Sequence, residues 1–463
     1  MLPFLHNIEK LRNLLLGRFG IRSDPWPLFI LGLAILFVAF VFMPNVVTLA
    51  FSIALFVAPV WVPFMLREGV VKLWYVFKRS TFIAKQKYVL LEIKPPRNLV
   101  KTPLAMEAFL SGIHLTGGES TWYARFKGGI RPFYSLEMAS FEGQVHFFIW
   151  TRANLRRIVE GQLYAQYPGV QIVEALDYTR MISAKPGEWV VWGCDFMPTG
   201  PNPLPIKTYI EYGLDKVQKE PEQVDPLSNL IEFMSSVGKG EYVWLQFVIR
   251  AHQGERYGAG PGSRESTKRN ADGKVYTWRD EGKLIIEEIR KKARNPYVDP
   301  ATGEERPGFP NPTKGESELM GAIDRNTTKL AYDVGIRGIY IVKPDKFNVA
   351  GITHLIGLFK PFTNTGWNGI NSQRWMKRFD DYPWEIGVEK RKNHYREELV
   401  NRYRRRQYFY DPFFHDGVFG DQTNILSVEE LATLYHIPSQ SIQSPGLTRI
   451  QSATSESPVN LPT

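Results

Sequence analysis

RPFYSLEMASFEGQVHFFIWT, residues 131–151, reads as two strands about a tight Phe-Glu-Gly turn. Before it, KYVLLEIKPP places Val89, Leu91 and Ile93 on one face of a strand. TPLAMEAFLSGIHL between them reads as a helix. Thr102 caps it, Pro103 fills the first helical position, and Met106, Phe109, Leu110 and Ile113 share its apolar face. After the hairpin, ANLRRIVEGQLYAQYPG supplies a second helix through Leu155, Ile158, Val159 and Leu163. VQIVEA closes with a strand. The order β-α-β-β-α-β predicts a ferredoxin-like sandwich, with two helices on one face of a four-stranded antiparallel sheet.

A second pass begins near Pro205. PIKTYIEY reads as a strand. DPLSNLIEFMSSVG reads as a helix capped by Asp225, with Leu227, Leu230, Ile231 and Met234 inward, and EYVWLQFVIRA as a strand. The Gly-rich, charged run from His252 to Lys274 interrupts the pattern as a long loop. A short helix, KLIIEEIRKKA, and a Pro-rich stretch follow it. ESELMGAIDRNTTKLAYDVG then reads as a helix and GIYIVK as a strand, giving a second sandwich with a large insertion. Residues 345–410 read as helical around a polar loop. LSVEELATLYHIP is a last helix, in which Ser427 and Glu430 make a capping box. The fold class expected is α+β.

From Pro25 to Leu66 no residue is charged. About 20 apolar residues cross a bilayer, so this run accommodates two spans with a turn at Met43–Asn45. The expected anchor is a helical hairpin, with Trp26, Phe42, Trp61 and Arg67 at or near its interfaces. Pro59 and Pro63 shorten or kink its second span. Lys10, Arg12, Arg18 and Arg22 precede it; Arg67, Lys72, Lys78, Arg79, Lys85 and Lys87 follow it. Basic residues stay on the cytoplasmic side, so both termini and the soluble bulk are expected there, at the inner membrane. No cleaved signal peptide is expected. The segments expected are 1–24 cytoplasmic, 25–66 hairpin and 67–87 juxtamembrane, then sandwiches at 88–200 and 201–345 (insertion 253–316). A helical, basic region at 346–437 and a flexible tail at 438–463 complete the chain.

The net charge of +10 favours anionic partners. One cysteine, Cys194, excludes an intramolecular disulfide framework and a thiolate metal cluster. Gly238-Lys239, Gly273-Lys274 and Gly282-Lys283 lack the following Ser or Thr of a phosphate-binding loop. The eight histidines have no zinc spacing, and His114 and His146 read as satisfied core or sheet residues. Asp380-Asp381 reads as solvated. The expectation is a non-enzymatic chain with no cofactor and no metal. One cluster has a chemistry of its own: Lys390, Arg391, Lys392, Arg396, Arg402, Arg404, Arg405 and Arg406 lie among aromatics. Such a cluster can neutralise phosphates and stack on bases, or can simply be a solvated or headgroup-facing helix.

VLLEIKPPRNLVKTPLAMEAFLSGIH, FYSLEMASFEGQVHFFIWT, LYAQYPGVQI and ILSVEELATLYHIPS, with the terminal SPVNLPT, resemble a bacterial family. That family comprises membrane-anchored, coupling-protein-like ATPases of type IV secretion and conjugation. The resemblance covers Tyr88–Leu115, Phe133–Ala175 and Asn424–Thr463, in the non-motor half of those proteins. It implies a subunit or scaffold of a type IV secretion-like apparatus, working in an oligomeric complex with a separate P-loop ATPase. Docking of that ATPase is expected on Glu429, Glu430, Leu431, Leu434 and Tyr435. The motor's phosphate- and magnesium-binding residues have no matching positions. The alternative is a membrane-associated nucleic-acid-binding protein that uses the 390–406 cluster.

Overall fold

The computed structural model describes residues 26–119, 122–183, 187–215, 224–253, 276–294, 297–298, 305–306, 308–373, 387–410, 424–440, 442 and 444–450. Expectations for residues 1–24, for most of the Gly-rich loop, for Asp380-Asp381 and for 451–463 lie outside these residues.

Helix α1 (Trp26–Phe42) is separated from α2 (Pro44–Lys85) by Met43 alone. Pro44 opens α2, where its missing N–H removes no helical bond. Pro59 and Pro63 lie within α2 and do not end it. At 1.5 Å per residue its 42 residues span about 63 Å. Its first part, Pro44–Pro63, is long and apolar enough to cross a membrane and has no buried side chains. It is the one such helix among the described residues. The second part carries the expected basic-aromatic segment as the same helix, running directly into the body.

The body holds β1 (Tyr88–Lys94), α3 (Leu104–Gly112), α4 (Trp122–Phe126), β2 (Phe133–Phe141), β3 (Gln144–Arg152), α5 (Arg156–Gln166) and β4 (Gln171–Ala175). There follow β5 (Val190–Pro198), α6 (Leu227–Ser235), β6 (Glu241–Ala251), α7 (Trp278–Lys292), β7 (Tyr297–Val298), β8 (Glu305–Arg306), α8 (Lys314–Thr328) and β9 (Ala331–Val342). The last elements are α9 (Val349–Gly357), β10 (Ile370–Gln373), α10 (Val388–Arg404), β11 (Asn424–Ser427) and α11 (Val428–Leu434). The fold is α+β around one nine-stranded antiparallel sheet, in the order β10-β5-β9-β6-β2-β3-β1-β4, with β11 also paired to β9. Strands β7 and β8 form a separate pair.

Both halves of the sheet repeat one strand order. Counting strands within each half, β4-β1-β3-β2 and β10-β5-β9-β6 are both fourth-first-third-second. The two second strands, β2 and β6, join edge to edge, with Glu137 opposite Gln246 at the middle of the join. Joining these edges removes two unpaired strand edges that would otherwise template aggregation.

Alternation along the strands sorts the core into two layers. One face packs Leu136, Met138, Phe147 and Leu245 against α3, α5, α6, α9 and α11. The other packs Phe133, Phe148, Trp150 and Trp244 against Leu399, Val400 and Tyr403 of α10, and against Tyr408. Phe82 and Ile83 at the end of α2 pack into this second layer.

Several expectations change. Pro205–Tyr212 is irregular chain that enters turns at Tyr209, not a strand. Two of its backbone N–H groups are taken by distant side chains: Ile206 N donates to Glu430 Oε1 at 3.0 Å and Tyr209 N to Thr433 Oγ1 at 3.0 Å. The strand that takes this place is β5, which falls inside the range 88–200 expected for the first sandwich; it pairs with β9 and β10. Helix α8 stops at Thr328, and AYDVG begins β9 instead. Within the region read as helical, β10 is a strand at the sheet edge. Ile158 is 41% exposed, off the core face of α5. The described part of the expected flexible tail is packed: Ile442 and Leu447 are buried, and Ile450 bridges to Pro96.

Candidate functional site

Residues paired across neighbouring antiparallel strands share a face of the sheet. Following the register at one level gives a row across six strands: Asp195, Arg337, Gln246, Glu137, Phe148 and Glu92. Four of its six members carry charge, on a face otherwise lined by aromatic and β-branched residues. Arg337 Nε donates to Asp195 Oδ1 at 2.9 Å, and both are buried. His146 Nδ1 lies 2.7 Å from Glu92 Oε1 at the far end.

Glu137 is the centre of the row and is fully buried. It accepts from Ser135 Oγ at 2.6 Å, Gln246 Nε2 at 3.1 Å and Tyr178 OH at 2.7 Å. Arg406 closes the set, with Nε 2.9 Å from Glu137 Oε1 and Nη1 2.6 Å from Asp177 Oδ2. Burial opposes the charge on Arg406, but Glu137 and Asp177 outweigh it and raise its pKa. Burial likewise pushes Asp177 up, and Arg406 more than offsets this to hold its carboxyl low. An isolated ion would be expelled from such a layer; a carboxylate with this many donors is retained.

A second cluster lies at the sheet end, where β2, β6 and β9 meet. Arg250 donates through Nη2 to Asp333 Oδ2 at 2.7 Å, and His252 Nδ1 lies 2.7 Å from Asp333 Oδ1. Arg131 Nε lies 3.2 Å from Glu119 Oε2, whose other oxygen accepts from Tyr410 OH at 2.7 Å. The Arg250 guanidinium lies over the Phe409 ring at 4.5 Å. Burial would raise the Asp333 carboxyl, but Arg250 and His252 hold it far below the usual range. Asp333 orients the His252 imidazole as an acid orients a general base. Its Nε2, however, meets no hydroxyl or thiol among the described residues.

The residues singled out in the sequence separate into engaged and accessible ones. Lys390 and Arg405 are exposed, and Arg391 and Lys392 are half-buried. Arg402 is buried, with Nε 3.2 Å from Glu398 Oε1. Arg404 donates to the Thr179 and Ile182 carbonyls, and Arg406 is the buried partner of Glu137. The cluster is therefore not a continuous basic face. Arg404 and Arg406 both turn to the 177–182 segment while Arg405 between them is exposed, and their aromatic neighbours Tyr403 and Tyr408 are core.

The expected docking residues are also inside. Glu429, Glu430, Leu431, Leu434 and Tyr435 are each at most 2% exposed, so none of them is a surface for a second protein. Glu429 pairs with Arg325 and Lys329 at 3.1 and 2.9 Å. Tyr435 OH donates to the Phe148 carbonyl at 3.1 Å. The capping box of Ser427 and Glu430 forms as expected, with Ser427 N 2.9 Å from Glu430 Oε2. Burial pushes the Glu430 carboxyl up to about 7.

At the apolar end, Trp26 lies in the first turn of α1, Phe42 ends that helix exposed, and Arg67 is exposed on α2. Trp61 Nε1 donates to the Ala54 carbonyl at 3.1 Å. Sequence reasoning missed Glu137, Asp177, Asp195, Arg337 and Asp333. Glu137 and Arg337 lie on strands buried on both faces, so alternation does not single them out, and their partners come from distant segments.

Among the described residues no group of three or more His, Cys, Asp or Glu side chains is placed to hold a metal. A cleft of about 340 Å³ beside Pro96, Leu99 and Pro168 has Lys101 as its one ionisable lining residue. The model of the family described as "Domain of unknown function (DUF8128)" matches residues 80–449. No curated protein and no solved structure matches the chain. The chain belongs to the DUF8128 family.

Proposed function

We propose that this DUF8128 family member is a membrane-anchored, non-enzymatic scaffold of a type IV secretion-like transfer apparatus. In this reading α1 and the first part of α2 form a transmembrane hairpin, and the body is two ferredoxin-like units joined through β2 and β6. One observation carries the anchoring. Helix α2 is apolar and uncovered over Pro44–Pro63 and continues without a break into the body. There Gly128 lies directly against the Lys78 and Arg79 backbone, and Phe82 and Ile83 enter the second core layer. A helix that is at once membrane-compatible and part of the fold holds the body at a fixed height above the bilayer.

The secretion setting rests on the sequence resemblance, and the partner proposed is a P-loop ATPase on another chain. Residues 429–435 do not offer that ATPase a docking surface, because their side chains are buried. The nucleic-acid alternative loses its support with the burial of Arg402 and Arg406. The test is fractionation and co-purification. Full-length protein should stay with membranes in alkaline carbonate and need detergent for release, whereas a chain lacking residues 26–63 should not. Mass spectrometry of the detergent extract should find an ATPase. A full-length chain released by carbonate overturns the anchor; an extract without an ATPase overturns the partner.

A further inference from the structure

The part of α2 outside the membrane-compatible stretch has two opposite faces. Tyr75, Arg79, Phe82 and Ile83 face the body: Tyr75 meets Phe126 edge-on at 6.5 Å, Arg79 lies 5.3 Å over Tyr410, and the partly buried Phe82 and Ile83 pack against the second core layer. Leu66, Val70, Leu73 and Phe77 are 54%, 61%, 49% and 60% exposed. At 100° per residue these four fall within an arc of roughly 60°, about 180° from Tyr75. Their spacing of four, three and four residues is that of a coiled-coil seam.

We infer that this stripe is a homotypic interface, covered by α2 of a second copy of this chain. The inference rests on the membrane-anchored reading above. Copies anchored in one bilayer stand parallel and at equal depth, so identical seam residues meet without a search for register. Among the described residues the body meets α2 through Tyr75, Arg79, Phe82 and Ile83 and reaches the flank of the stripe only at Trp74, whose ring lies 5.7 Å from Phe126. Charge is distributed to suit a symmetric pair. The positions flanking the seam between Leu66 and Phe77 hold Arg67, Gly69, Trp74 and Val76, so one cation per copy borders it. Lys78 is engaged over the Trp74 ring at 4.5 Å, and Arg79 turns to the body. A stripe built to lie in anionic headgroups would instead be bordered by lysine and arginine on both sides. A seam of four residues is short, so the shared membrane supplies the local concentration that pairing needs.

Disulfide mapping in the membranes of expressing cells tests this on the full chain. Leu66, Val70, Leu73 and Phe77 are each replaced by Cys, with Arg67→Cys, Lys78→Cys and Arg79→Cys as off-seam controls. Cys194 is buried in β5 and stays in place, so the parent chain sets the zero. The expected result is dimer cross-linking at the four seam positions at least about five-fold above the controls, with the protein still requiring detergent for release. Uniform cross-linking, or none, from a membrane-retained protein overturns the interface and leaves the anchor standing. Seam cross-linking that appears only after deletion of residues 1–25 also overturns it, assigning the stripe to that segment. Protein recovered outside the membrane fraction overturns the anchor and the interface together.

Discussion

Arg406 and Glu137 are 269 residues apart in the chain and 2.9 Å apart in the fold. Glu137 marks the middle of the join between the two halves of the sheet, and Arg406 follows the end of α10, which covers that face. The ion pair therefore fastens the C-terminal cover to the seam. Arg406 also has a positive φ of 49°, which lets the chain leave α10 and turn its guanidinium into the layer.

Replacing Arg406 with Met leaves the Glu137 carboxylate buried without its cation. Breaking one partner of a buried pair costs about 3–5 kcal/mol. Chemical denaturation of the detergent-solubilised protein should show a loss of that size. Combining Arg406→Met with Glu137→Leu should recover part of it, because the stranded charge is gone. A double variant no better than the single would show that the arginine acts by shape alone.

Charge reversal at Lys390 and Arg405 should leave the unfolding midpoint where it is, since both are exposed. The same reversal at Arg406 should prevent folding. Equal effects at the three positions would contradict the division of the cluster into engaged and accessible residues.

Gly128 has a φ of +83°, and a Cβ there would collide with the Lys78 carbonyl oxygen. Gly128→Ala should loosen α2 from the body and expose the junction near Gln86 and Lys87 to protease. The sheet itself should keep its protection, which hydrogen exchange would read strand by strand. Unchanged cleavage would mean that α2 is held by Phe82 and Ile83 without this close approach.

Stability should fall from about pH 5 to pH 8 through two buried groups. Glu430 has a folded value of about 7, raised by burial above the ordinary 4.5. The folded state holds this proton more tightly, so its contribution is present at low pH and lost as pH rises through that window, on the order of 3 kcal/mol in all. For His436, burial lowers the value, but the Asp225 carboxylate at 3.0 Å outweighs it and raises the imidazole overall. Its contribution is fully present below the unfolded value and lost as pH rises through the folded one. Glu430→Gln should flatten the profile in its lower part and His436→Gln in its upper part. Variant profiles that follow the wild type throughout would refute both assignments.

Much of the fold was legible because alternation and capping are local. The hairpin Phe133–Arg152, the helices at Leu104 and Arg156, and the Ser427–Glu430 box needed only period and spacing. PIKTYIEY misled because it alternates like a strand, while the N–H groups of Ile206 and Tyr209 belong to Glu430 and Thr433 from more than 200 residues away. The run 390–406 misled for a related reason. A count of positive charges carries no information about which arginines meet a buried carboxylate, and Asp177 and Glu137 lie in segments whose own pattern does not mention them.

By itself the sequence determined the apolar stretch ahead of the body, the α+β class and the identity of most core positions, because hydrophobic periodicity is written residue by residue. Only the tertiary structure decided that the two halves share one sheet through β2 and β6, since either edge could have paired with any other strand. It alone decided that Arg406 and the segment 424–437 are core. Burying Glu429, Glu430 and Arg406 is favourable only where Arg325, Lys329, Ile206, Asp177 and Glu137 have already been brought to meet them.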